Sequence, residues 1–120
     1  MQTTVNKKKS VATLVSLLGL VINATVFDAQ AEPIWIVGVC SCGAWVKDRQ
    51  EKQIFTITHQ RWLVGYLSGL ARASNKNILK GMDNDSFYLW MDNYCQKNPL
   101  KDISDGAEDL SFELIKQKNL

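Results

Sequence analysis

The sequence predicts a mostly α protein, a small disulfide-stapled helical bundle with an extended N-terminal arm. Three observations predict it. Apolar residues recur at helical spacing in three successive segments after Thr58. Three cysteines, Cys40, Cys42 and Cys95, occur in a short chain. The stretch at residues 32–46, "EPIWIVGVCSCGAWV", is apolar and rich in β-branched residues, which fits either a short strand or an ordered arm.

The N-terminus precedes the fold. Lys7, Lys8 and Lys9 form a basic region, an apolar stretch runs from Val11 to Phe27, and "DAQAEP" follows, with Ala29 and Ala31 at the two small-residue positions of a signal-peptidase site. The uninterrupted apolar runs are too short to span a bilayer core, which needs about 20 residues. Residues 1–31 therefore read as a signal peptide cleaved after Ala31, and residues 32–120 as a single small exported helical domain. No stable membrane insertion is expected after cleavage. The full chain carries a formal charge of +2 at pH 7, but cleavage removes three lysines and one acidic residue, Asp28. Eleven basic and eleven acidic side chains remain, and the mature charge is zero. A polyanion binder needs a basic stripe, so nucleic acid is not expected as a partner.

The elements follow in order. "AWVKDRQEKQIF" is ambiguous and has room for a short helix. From Thr58 the pattern turns helical, with Leu63, Tyr66, Leu67 and Leu70 on one face. "ARASNKN" ends that helix in polar residues. "GMDNDS" starts the next, with Asn84 or Asp85 as the N-cap. Phe87, Trp90, Met91 and Tyr94 repeat the template beside Cys95, and Pro99 stops the helix because its ring cannot continue the hydrogen-bond ladder. Asp102, Ser104 or Asp105 caps a last helix, acidic at its start and basic at its end in agreement with the helix dipole. Ala107, Leu110 and Leu114 face inward there, widened by Phe112 and Ile115.

A domain this small is near the limit at which one core suffices, so a covalent staple is expected. Cys40 and Cys42 are poorly disposed to bond each other, so one of them pairs with Cys95, and periodicity does not say which. The remaining thiol is either an intermolecular or reactive group or a buried, inert one.

Other residues invite chemistry and lack its surroundings. His59, the only histidine, has no neighbouring nucleophile signature, and reads as a solvated or capping residue. "DNDS" at 83–86 has the opening of a calcium loop, but Tyr88 stands where that loop needs glycine and its closing glutamate is missing. It reads as capping chemistry. Cysteine and histidine spacing does not fit zinc. No metal, no cofactor and no catalytic residue is expected. "GYLSG" places Gly65 and Gly69 four apart on one helix, each costing about 1 kcal/mol against alanine. A close backbone approach is the expected compensation, either inside the monomer or at a self-association or partner surface, a homodimer included. The four tryptophans read mostly as core. Trp35, near the mature N-terminus, reads as exposed and available to a partner.

A signal peptide, an early cysteine, the small-residue helix "WLVGYLSGL" and "YCQKNP" before an amphipathic helix together resemble the HdeA/HdeB-like group of small periplasmic proteins. That group includes acid-stress chaperones, and similarly built proteins serve as immunity factors of the Rap1a/Tai type. The resemblance covers about residues 42–118 and rests on the cysteine pair and "C-x-x-x-N-P" at 95–99. It implies a Cys42–Cys95 disulfide, with Cys40 and the segment "VKDRQEKQIFTITHQ" as departures. It also implies a non-enzymatic protein-binding module, bound either to unfolded periplasmic clients or to a toxin. The charge balance is compatible with an acid response: near pH 2 the carboxylates are protonated, and the surviving cations repel one another.

N-terminal sequencing of the secreted protein is expected to begin at Glu32. An intact N-terminus on a membrane-bound product is the result that rejects export with cleavage.

Overall fold

The computed structural model describes residues 31–120. The signal peptide read at residues 1–31 lies outside them, Ala31 excepted. Residues Ile34–Leu120 form one unit built from four helices: α1 (Cys42–Glu51), α2 (Phe55–Ser74), α3 (Asn84–Lys97) and α4 (Ile103–Gln117).

The ambiguous segment is α1. Ser41 caps it by accepting from the Ala44 N–H at 3.2 Å, and Lys52 ends it in the left-handed region at φ 50°, donating its N–H to Asp48 O. α2 begins three residues earlier than the apolar pattern indicated, at Phe55. Its first turn is held by a tertiary bond, Thr56 Oγ1 donating to Asp48 O at 2.7 Å, rather than by a side-chain cap. Asn75 closes α2 in the left-handed region, which asparagine tolerates better than most residues. The N-cap of α3 is Asp83, not Asn84 or Asp85. Its carboxylate accepts from the Ser86 N–H at 2.7 Å, and that bond chiefly holds the Asp83 pKa below the ordinary carboxylate value. α3 ends at Lys97, with Asn98 as C-cap before Pro99. Asp102 caps α4 in a capping box with Asp105, whose carboxylate accepts the Asp102 N–H at 3.1 Å.

The core is Cys42, Trp45, Leu63, Leu67, Ile78, Phe87, Met91, Cys95, Ile103, Ala107, Leu110 and Leu114. The predicted inward faces of α2, α3 and α4 supply most of it. Ile78 joins from the α2–α3 loop, where Lys118 Nζ donates to Ile78 O at 2.6 Å and Lys80 O at 2.7 Å and so fastens the end of α4. Phe112 departs from expectation, being 67% exposed. Of the four tryptophans only Trp45 is fully buried; Trp62 and Trp90 lie at the edge of the core, each stacked on the tyrosine four residues later.

α1 and α3 form an antiparallel seam. Cys42 is disulfide-bonded to Cys95, the pairing that the resemblance implied, with a Cα–Cα distance of 4.7 Å. One turn along, Trp45 Nε1 donates to Asp92 Oδ1 at 2.8 Å. Arg49 adds Nε to the same oxygen at 2.8 Å and a second guanidinium nitrogen to Oδ2 at 2.5 Å. The guanidinium also lies over the rings of Trp45 and Tyr88. Flanking the disulfide in sequence, the Cys42 N–H donates to Lys101 O and the Ile103 N–H to Cys40 O. Residues 40–42 thereby hold α3 through sulfur and the entry of α4 through backbone.

Close approach of helices occurs, but not where "GYLSG" placed it. Gly65 and Gly69 are exposed, and a Cβ at either would meet nothing within 4 Å. Packing inside the monomer does not account for them. The glycine that permits contact is Gly106 on α4, where a Cβ would lie 2.7 Å from Met91 Sδ and 2.8 Å from Tyr94 Cδ1. The neighbouring inward positions Ser104, Ala107 and Ser111 are also small and buried, which lets α4 sit deep between α2 and α3.

Thermal melts separate the three glycines. Gly106→Leu is expected to cost about 1–3 kcal/mol by overpacking. Gly65→Ala and Gly69→Ala are each expected to stabilise by up to about 1 kcal/mol, the intrinsic helix preference. Destabilisation by both alanines is the outcome that contradicts an open outer face of α2.

Candidate functional site

Beside α2 lies an apolar groove of about 690 Å³. It is lined by the segment Ile34–Val37, by Arg61, Trp62, Gly65, Tyr66 and Leu70 of α2, and by Glu108 of α4. Trp62 fixes the geometry. Its Nε1 donates to Val37 O at 2.9 Å, and its ring lies so close to Gly38 that a Cβ there would fall 3.1 Å from Nε1. Gly38 also adopts φ 72°, a backbone state side chains rarely occupy. Gly38 thus lets the chain turn against Trp62 and lay residues 34–37 along α2. Trp62 stacks on Tyr66 with ring centroids 4.9 Å apart. Tyr66 donates its hydroxyl to Glu108 Oε1 at 2.8 Å. Burial, then the Glu108 carboxylate, push the phenol up to about 12.

Apolar residues of the Ile34–Val37 segment have little cover. Ile34, Trp35 and Val37 are 88%, 90% and 82% exposed. Trp35 is therefore as exposed as its place in the sequence suggested. Gly65 lines the same groove, and Gly69 is one turn further along the same side of α2. The structure brings Trp35 and Gly65 together at one surface, far in sequence and adjacent in space, and leaves the Cys42–Cys95 bond in the core. The docking of residues 34–37 on Trp62 had no sequence signal except Gly38. A second cavity of about 600 Å³ lies at the α1–α2 turn, lined by Val46, Ile54 and Ile57 with Arg49 and Lys52 at its edge.

Cys40, His59 and Asp83 lie outside the groove. Cys40 is the free thiol, half-buried. Burial, with Asp48 and Asp102 nearby, pushes it up to about 11, opposite to the shift an activated nucleophile needs. His59 is neither solvated nor a cap. Its Nδ1 is buried 3.2 Å from Asp48 Oδ2, poorly aligned for a hydrogen bond, and packs the start of α2 on α1. Among the described residues no group of three His, Cys, Asp or Glu side chains is placed to hold a metal ion, and Asp83 of "DNDS" is engaged as a cap.

No family model, curated protein or solved structure matches the chain.

The two neighbouring cysteines are expected to behave differently when replaced. Cys42→Ser should cost a few kcal/mol, the scale of losing a native disulfide from a small secreted domain. Cys40→Ser should cost under about 1 kcal/mol. In the parent, alkylation of the Cys40 thiol near pH 8 should be slower by about a hundredfold or more than in the urea-unfolded chain, because so little thiolate is present. Rapid labelling of folded protein at pH 8 is the result that rejects an inert Cys40.

Proposed function

We propose that the mature chain is a non-enzymatic periplasmic protein-binding module of the acid-stress chaperone kind. The observation that carries this reading is where the polar ties between helices end. Asp92 accepts from Trp45 and Arg49 across α1 and α3. Glu108 accepts from Tyr66 across α2 and α4. Glu113 accepts from Trp90 Nε1 at 3.0 Å across α3 and α4. Three helix pairs are bridged by bonds to a carboxylate, and charge-assisted bonds of this kind weaken when the acceptor is protonated.

Protonation of an acceptor carboxylate weakens its tie, and the eleven Lys and Arg residues leave the acidified mature chain strongly cationic. Asp83 gives the sign for one group. Its folded pKa is depressed, so the α3 cap contributes above the unfolded carboxylate pKa and is lost as the pH falls through the lowered value. The disulfide keeps α1 and α3 joined in such a loosened state. The apolar faces of α2 and α4 then become available to unfolded chains.

A second reading has its own observation. The groove beside Trp35 is exposed in the folded protein, which favours a partner held at neutral pH, as an immunity protein holds a toxin. Crosslinking followed by pulldown from periplasm at neutral and acid pH tests both. Many clients captured only in acid is the expected outcome for the chaperone. One stoichiometric partner at neutral pH supports the immunity reading, and no captured protein at either pH rejects a protein-binding module.

A further inference from the structure

We infer that the groove beside α2 takes an acidic amphipathic segment of a partner protein at neutral pH, an inference that rests on the second reading above, a partner held by the folded protein, and names the chemistry of that partner. Arg61 and Arg72 stand eleven residues apart on α2, so they project in nearly the same direction, about 16 Å from each other along the axis. Between them, on that side of the helix, lie Gly65, Ser68 and Gly69, all exposed. Neither arginine forms an ion pair among the described residues. The nearest carboxylate in the groove, Glu108, already accepts from Tyr66. This outer side of α2 therefore presents two free cations around a low, side-chain-poor surface, flanked by the apolar residues Ile34, Trp35 and Val37.

Charge decides between occupants. A second copy packing α2 on α2 is disfavoured in either symmetric arrangement. A two-fold axis between Gly65 and Gly69 sets Arg61 of one copy beside Arg72 of the other, and parallel pairing sets each arginine beside its equivalent. Like charges meet in both cases. A partner helix carrying carboxylates about eleven residues apart satisfies both arginines, while its apolar side enters the groove against Trp35, Trp62 and Leu70. Shape decides between a protein and a membrane surface. The site is concave, between the 34–37 segment and α2, and a chain segment enters a concavity that a flat bilayer bridges.

The probe is a fluorescein-labelled helical peptide of about twenty residues, with leucines on one side and glutamates eleven positions apart, titrated into the mature protein. A control peptide carries lysine in place of glutamate, and phosphatidylglycerol vesicles form a third arm. The glutamate peptide is expected to bind at least about tenfold more tightly than the lysine peptide. Gly65→Leu, whose Cβ would meet nothing within 4 Å and whose longer side chain would occupy the groove, and Arg61→Glu are each expected to weaken binding by about tenfold. Melting temperatures not lower than the parent's confirm that both variants are folded. Equal affinity for the two peptides, or binding unchanged by Gly65→Leu, overturns the inference. Binding to the vesicles but to neither peptide assigns the surface to a membrane and also overturns it. A periplasmic protein captured equally by the parent and by Gly65→Leu removes the groove while leaving the protein-binding reading intact.

Discussion

The structure depends on the crosslink between Cys42 and Cys95 and on the seam it begins. α1 is ten residues long and has only Cys42 and Trp45 buried. A helix of that length is marginal by itself in water, and its sequence has no strong apolar side. What orders it is attachment. The disulfide closes a loop over a sequence separation of 53, which contributes roughly 4 kcal/mol in the chain-entropy model. Trp45 and Arg49 then converge on one carboxylate, Asp92, a half-buried acceptor filled by three donors. The backbone bonds of residues 40 and 42 to the entry of α4 come from the same short segment. The thiol of Cys40 is incidental, whereas its carbonyl is structural.

This places the covalent constraint on one side of the bundle. α2 contains no cysteine and is held by apolar packing of Leu63 and Leu67 and by single polar contacts such as Tyr66 with Glu108. Its opposite side is bare. Charge follows the same division. Between Ile34 and Lys76 there are six basic and two acidic residues, while from Asn77 to Leu120 there are five basic and eight acidic. Near neutrality over residues 32–120 therefore conceals a cationic α1–α2 half and an anionic α3–α4 half. The exclusion of a basic stripe, drawn from net charge, holds for the total and misses the division.

Much of the fold was legible. α2, α3 and α4 have enough apolar residues at helical spacing for the inward faces to be read directly, and Pro99 marks the end of α3, whereas Asp102 was one of three cap residues open for α4 and Asn75 one of several polar residues at the end of α2. α1 was not legible, because the interactions that stabilise it join positions 42, 45 and 49 to 95 and 92, and no local pattern records a tertiary pairing. The start of α2 was set by Thr56 bonding back to Asp48, again a contact between elements. The α3 cap was displaced by one or two residues because "DNDS" offers four side chains that can cap a helix, and only the entry of the chain selects Asp83.

The glycines show the difference between spacing and direction. Gly65 and Gly69 are four apart, which correctly puts them on one side of α2, but spacing is silent on which side. Their neighbours were not: Gly65 is midway between Leu63 and Leu67, two residues from each, and about 200° around the helix from either. Two leucines that face the core therefore turn Gly65 to solvent. Gly106 carried the opposite signal, being adjacent to Ala107 and within a run of small residues on the inward side of α4. Reading each glycine against the apolar direction of its own helix distinguishes a residue that admits a neighbouring helix from one that leaves a surface low. On α2 that low surface lies beside Trp35, whose contribution depends on a turn at Gly38 against Trp62, twenty-four residues away in sequence. A site assembled from an arm and a distant helix leaves its parts visible in the chain, and only their folding together shows that they are one surface.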